Sequence, residues 1–278
     1  MYPYIALEVC VFNTFRQVLH DNWEWRKQSW NLAKIDLVKT YRGAALGWIW
    51  LFVKPAVYIG VYYFTFAVGM RSARPVNDMP YLLWMACGVF PWFFMSDMIS
   101  TGSDVYNKYP FLVNRIRFPL SVISTFFAMS KLIVFMGTMA FTIAVCLIAG
   151  VKLSVYLLQL PLVFILMLYF WIMWSIWLSP LSAISKDFAN LVKTLQTPFF
   201  WLSGVLFRLQ KLPHALRVLM YFNPVSWACE ATRHSFIDFA WIWEYPKELG
   251  VYLGICVIVT ILAMHSYKRL HKEVPDVL

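Results

Sequence analysis

An all-helical integral membrane protein is the fold class this sequence predicts, on three observations. Of its 278 residues 61% are hydrophobic and 14% charged, whereas a soluble domain carries roughly 25% charged residues. The apolar residues gather into runs long enough to cross a bilayer, which takes about 20 residues of helix at ~1.5 Å rise. The formal charge is +10, but Lys and Arg sit at the ends of these runs and form no continuous basic face of the kind nucleic acid needs. The length leaves room for about six spans and no large soluble domain. The expected division is a cytoplasmic segment over 1–45 and a transmembrane domain over 46–278.

Residues 1–22 alternate apolar and polar without a clear period. From Trp23 to Tyr41 the pattern is helical, with Trp23, Trp30, Ala33, Leu37 and Tyr41 on one side and Lys27 and Lys34 placed to snorkel. Such a helix lies in the membrane interface; a helix packed on a partner protein is the alternative, and both readings place it in the cytoplasm. Spans are expected over 46–70, 80–99, 120–149 and 156–184, and a last one over 251–267. Between the last two, an apolar run over 195–206 stops at Arg208 and Lys211 and breaks at Pro213. A second run over 215–222 ends at Asn223-Pro224. Neither is long enough alone, so the stretch reads as a short fifth span followed by a re-entrant segment that leaves on the same side. Irregular backbone at membrane depth survives only where protein or a water-lined cavity surrounds it. The stretch therefore predicts a path through the protein.

The outer segment over 208–249 carries Trp227, Phe236, Phe239, Trp241, Trp243 and Tyr245, which reads as an interfacial aromatic belt. With the N-terminus inside, most Lys and Arg fall on the cytoplasmic side, and an even number of spans returns the C-terminus there beside Lys268 and Arg269.

Several chemistries are excluded. The chain has no Gly-Lys dipeptide, so the phosphate-cradling G-x-x-x-x-G-K-[ST] loop cannot be built. The cysteines are scattered without C-x-x-C spacing, and the histidines fall near span ends; no metal site is expected and buried structural cysteine is the default. Ionisable residues within the spans are Lys54, Asp97 and Lys131. All lie in the cytoplasmic half, with Lys54 and Asp97 as one pairing. No carboxylate stands near the midplane, where an ion-coupled transporter keeps them, so the energy for any transport must come from elsewhere.

Two cytoplasmic connections carry the candidates. In 103–119, Phe111 and Leu112 stand beside Arg115 and Arg117, which suits a helix plugging into another protein or a loop held by lipid headgroups. The second is 185–193, with Lys186 and Asp187. In the spans, Tyr58, Tyr62 and Phe66 recur at helical spacing, and Phe199, Phe200, Trp201 and Phe207 crowd the short fifth span. They read either as ordinary packing or as an aromatic wall for sugars, whose C–H faces pack on rings.

These residues resemble the membrane subunits of bacterial ABC-2 type ATP-binding-cassette polysaccharide exporters. The resemblance begins at Lys39-Thr-Tyr-Arg42-Gly-Ala-Ala-Leu-Gly-Trp48 with Pro55 following, and continues through Gly88-Val-Phe-Pro91-Trp-Phe-Phe94. Lys186-Asp187, Thr197-Pro198-Phe199-Phe200-Trp201, Leu212-Pro213, Asn223-Pro224 and Arg233 complete it. The family usually has Arg-Asp where this chain has Lys186-Asp187, and Lys cannot make Arg's forked contacts.

The resemblance implies a homodimer of six-span subunits in the bacterial cytoplasmic membrane. Two separate ATPase subunits would dock underneath and carry the ATP and magnesium, so this chain itself would hold no cofactor and perform no hydrolysis. The cargo would be a lipid-linked polysaccharide such as O-antigen, teichoic acid or capsule; an ABC-2 permease for a small lipophilic drug or a glycolipid is the alternative. By the same resemblance Asp104, Tyr109, Phe111, Arg115, Arg117, Lys186 and Asp187 would couple to the ATPase. The aromatic residues named above would line the channel, and Lys39 and Arg42 would stand where the lipid end is admitted.

Overall fold

Apolar runs of bilayer length become the long helices of the computed structural model, and Gly, Pro and Asn punctuate them. The structure describes residues 3–42, 45–71, 75–77, 79–115, 118–148, 150 and 153–278, without the side chains of residues 3–10 and Arg115. Helices α1 (Pro3–Glu24) and α2 (Arg26–Tyr41) precede α3 (Trp50–Phe64) and α4 (Tyr81–Ser100). Two short helices, α5 (Val105–Lys108) and α6 (Pro110–Arg115), lead into α7 (Leu120–Ile148) and α8 (Leu160–Ile184). The chain then breaks into α9 (Lys186–Thr194), α10 (Gln196–Trp201), α11 (His214–Tyr221) and α12 (Pro224–Arg233), before α13 (Pro246–Leu270) and α14 (Val274–Val277).

Among the described residues five helical stretches are long and apolar enough to span a membrane: Gly47–Gly69, Tyr81–Lys108, Leu120–Ile148, Val155–Ile184 and Pro246–Leu270. Of the expected short span over 195–206 only α10 is a helix before the chain turns, and the expected connection over 185–193 is itself the helix α9. The two run together through Leu195, whose N–H donates to Leu191 O and whose carbonyl accepts from Phe199 N.

The bundle is organised around α4. Its apolar stretch is 78% buried, while that of Gly47–Gly69, which includes α3, is 6% buried and leans along one flank. α8 and α13 lie side by side, with Ser266 donating to Trp177 O at 2.8 Å and Tyr252 to Leu166 O at 3.1 Å. Ser175 and Ser179 of α8 both donate to Gly102 O, at 2.5 and 3.0 Å, just beyond the end of α4. A buried Gln159 fastens the far side, accepting from Ile242 N and donating to Ala240 O, both at 2.8 Å.

The structure adds detail to three expectations. Trp23 and Trp30 of the N-terminal aromatic stripe are not packed within the chain. α2 turns Ser29, Ala33 and Asp36 inward against α7, because Asp36 finds partners there. Trp23 and Trp30 remain exposed under Arg26 and Lys34, cation over ring at 4.5 and 5.1 Å. Two residues of the expected aromatic belt are internal, Trp227, which stacks on Tyr252 at 3.9 Å, and Phe236; Phe239, Trp241 and Tyr245 are half-buried, Tyr245 stacking on His234 at 4.1 Å. Of that cluster Trp243 is the one openly exposed, at 53%. Asp97 pairs with Lys131 at 3.1 Å, leaving Lys54 unpaired by any described carboxylate.

Candidate transport path and coupling face

The break after α10 is built from three local choices. Gly204 takes a left-handed φ of 72°, and a Cβ there would meet the Leu209 side chain at 2.7 Å. Asn223 caps α12 by accepting from Val225 N at 3.0 Å, with Pro224 in the first turn where a missing N–H costs nothing. The same Asn223 amide donates to Leu202 O at 2.9 Å and Phe199 O at 3.2 Å, tying the end of α10 to the start of α12.

Arg233, 1% exposed, closes this structure. Its Nη1 donates to Gly204 O at 2.8 Å and to Glu230 Oε1 at 2.7 Å, and its Nη2 donates to Val205 O at 2.6 Å. Its Cζ lies 3.8 Å from the centre of the Trp84 ring. Gln210 donates to the other oxygen of Glu230 at 2.8 Å. The guanidinium thus satisfies two carbonyls freed where the helix breaks, which bulk water cannot reach. A buried charge pair of this kind is strongly disfavoured once one partner is lost.

In front of the break the predicted aromatic residues of two separate stretches meet. Tyr62 of α3 stacks on Phe200 of α10 with ring centroids 5.8 Å apart, and Phe200 touches Trp92 and Trp201 at 5.0 and 5.4 Å. Tyr58 adjoins Phe93 and Tyr62. Tyr58 and Trp201 are exposed, Tyr62 and Phe66 half-buried. The result is a lane of rings with two tyrosine hydroxyls, the amphipathic surface on which sugar rings pack. Phe199 turns the other way, onto Trp174 of α8 at 5.9 Å, and Phe207 lies half-buried in the turn beyond α10.

At the opposite end of α4, α2 is pinned by Asp36. Its carboxylate accepts from the Tyr109 hydroxyl and from Ser130 at 2.6 Å, with Lys108 Nζ at 3.4 Å. Burial alone would raise this carboxyl. The hydrogen bonds from Ser130 and Tyr109 and the charges of Lys108 and Lys131 outweigh it and hold the acid below its ordinary value. Asp104 pairs with Lys193 at 2.7 Å and accepts from Asn107 at 2.5 Å.

Of the residues expected to couple, Asp104 and Tyr109 are therefore engaged internally, setting the position of the loop. Phe111, Lys186 and Asp187 lie exposed on the surface. Lys39 is exposed and stands over the Phe111 ring at 6.0 Å; Arg42 is exposed as well. The Arg115 side chain and Arg117 lie outside the described residues.

Asp36 and Glu230 are the functional-looking residues that sequence reading missed. A lone acid inside the basic run Lys34-Ile-Asp36-Leu-Val-Lys39 is the available signal for the first. The spacing of Glu230 and Arg233, on one helix face in a small-residue stretch, is the signal for the second.

The five candidate spans and the broken segment between the fourth and the last make this a multi-span helical membrane protein. The family model for the ABC-2 type transporter matches residues 27–237, and the chain belongs to that family. It is similar to the O-antigen export system permease protein RfbA of Myxococcus xanthus, 23% identical over 75% of this chain and 80% of that protein. Two Klebsiella pneumoniae proteins of the same name are 23% and 22% identical, over 86% and 87% of this chain and 91% and 92% of their own lengths.

Proposed function

We propose that this chain is the channel-forming subunit of an ATP-driven exporter that moves a lipid-linked polysaccharide out across the bacterial cytoplasmic membrane. It works as a pair of identical copies above two cytoplasmic ATPase subunits that bind ATP and magnesium, with both termini of this chain in the cytoplasm. The observation that carries the reading is the lane Tyr58–Tyr62–Phe200–Trp201, in which the buried Phe200 ring joins the exposed rings of Tyr58 and Trp201 through the half-buried Tyr62. Rings without a deep pocket grip a repeating polymer weakly and in many places, which suits threading.

The open flank of Gly47–Gly69 supports the pairing. A spanning helix with 6% of its apolar stretch buried, showing Val57, Val61, Phe64 and Val68, has a face available for a second copy. With Phe111, Lys186 and Asp187 at its surface, the coupling face offers an apolar and charged knob to the ATPase. The names of the relatives, all O-antigen export permeases, support the choice of cargo.

The test is reconstitution of the purified chain with its ATPase in vesicles, following ATP-dependent appearance of a lipid-linked polysaccharide on the far side. Movement driven by an ion gradient without ATP, or movement of small lipophilic compounds with no transfer of polymer, overturns the proposal.

A further inference from the structure

α3 does not lie flush on its neighbours. One flank leaves a cavity of about 480 Å³ against α4 and α7, walled by Phe52, Ile59, Gly60, Leu83, Phe90 and Phe141 and almost free of polar atoms. A narrow passage of about 70 Å³ adjoins it, sharing Pro55, Phe90 and Thr138 with its wall. The passage shares Tyr41, Trp50, Lys54, Asp97 and Lys131 with a basin of about 490 Å³ at the α2 end of the bundle, whose charged groups are Lys54, Asp97 and Lys131. An apolar slot thus leads away from a basin that holds three charged side chains.

The basin's charge is not balanced internally. Lys131 and Asp97 neutralise each other at 3.1 Å. Lys54 is exposed in the basin, has no carboxylate within ion-pair distance among the described residues, and stands 5.8 Å from the Phe93 ring. One net positive charge therefore faces the mouth of a hydrocarbon-lined slot, a costly placement that a counter-charge relieves.

We propose that this groove is a lipid site occupied by one anionic phospholipid, its phosphodiester head on Lys54 and one acyl chain in the slot between α3, α4 and α7. The charge count selects the lipid class. A phosphodiester supplies one negative charge and balances the basin, whereas a terminal phosphate monoester carries about −1.5 to −2 at pH 7 and leaves an excess. The chain in the slot supplies the packing that α3 lacks in its own bundle. The basin is also lined by Tyr58 of the aromatic lane, and lipid retention, read without transport, decides the site whether or not the export reading holds.

The experiment is native mass spectrometry of the full chain in detergent with phosphatidylglycerol, phosphatidylcholine of the same acyl chains, or a polyprenyl phosphate. Phosphatidylglycerol is expected to be retained over phosphatidylcholine by about fivefold, the size of one lysine's headgroup attraction. Lys54→Gln abolishes that preference and Lys54→Arg keeps it. Gly60→Leu, which projects into open space since nothing lies within 4 Å of a Cβ there, lowers retention of both phospholipids. Equal retention of the two by the unmodified chain overturns the proposal, and this arm needs no variant to fold. A preference that survives Lys54→Gln overturns it too, as does stronger retention of the polyprenyl phosphate, which makes the occupant a different lipid.

Discussion

Gly88 of α4 and Arg233 of α12 fit together with no room for an intervening atom: a Cβ on Gly88 would stand 2.4 Å from Nη2 of Arg233 and 2.7 Å from Val205 O. The hydrogen of glycine lets the guanidinium reach both carbonyls of the broken segment.

Arg233→Leu strands Glu230 in the interior and frees Gly204 O and Val205 O, so a loss of about 3–5 kcal/mol is expected. Gly88→Ala displaces the guanidinium and is expected to destabilise in the same direction. Replacing Glu230 and Arg233 together by leucine restores part of the loss, because no buried charge is left alone. Thermal melts in detergent, read by intrinsic tryptophan fluorescence, rank these variants; Arg233→Leu melting with the unmodified protein would refute the assignment.

Asp36→Ala leaves the buried hydroxyls of Tyr109 and Ser130 without their acceptor, at about 1–3 kcal/mol each. The acid is held below its ordinary value of 3.8. Its contribution is therefore present above that pH and fades as pH falls through the lower folded value. Melts between pH 6 and pH 3 should show a steeper acid decline in the unmodified protein than in Asp36→Ala. Parallel curves would remove Asp36 as a pinning point.

His234 behaves in the opposite sense. Burial would lower its pKa, but its Nδ1 lies 2.8 Å from Asp238, which in turn accepts from Asn77 at 2.9 Å, and the imidazolium is held up to about 9 against an ordinary 6.5. Its contribution is complete below 6.5 and is lost as pH rises through about 9. Comparing melts at pH 6 and above pH 9, Asp238→Asn should lose less on the alkaline side than the unmodified protein does. An identical alkaline loss in both would show that the pair does not set it.

The aromatic residues separate by role. Trp201, 54% exposed, is expected to tolerate Ala with little change in melting temperature while polymer export falls. Phe199, packed on Trp174, should lose stability on truncation, by up to the ~3–5 kcal/mol of a fully buried ring. Export rates normalised to folded protein distinguish the two, and a Trp201→Ala subunit with full export would argue against the lane as the path.

How much of this was legible follows from what each feature depends on. Spans such as Leu120–Ile148 depend on local composition alone, and sequence reading places their ends within a few residues. The broken segment was legible too, because Pro213 and Asn223-Pro224 act on their own backbone. The inward face of α2 was not, since Trp23 and Trp30 outweigh one aspartate in any hydrophobic pattern. What decides the face is Ser130, distant in the chain. For the same reason Asp97 chooses Lys131 on α7, while the sequence offered Lys54 as readily.

The clasp around Arg233 has a consequence for how the protein is made. Gly88, Gly204 and Val205 all precede Arg233 in the chain, so the two carbonyls lack their donor until α12 has been made. A chain truncated before Arg233 therefore keeps the turn but not what satisfies it, and is expected to be cut by protease more readily than one that ends just after it.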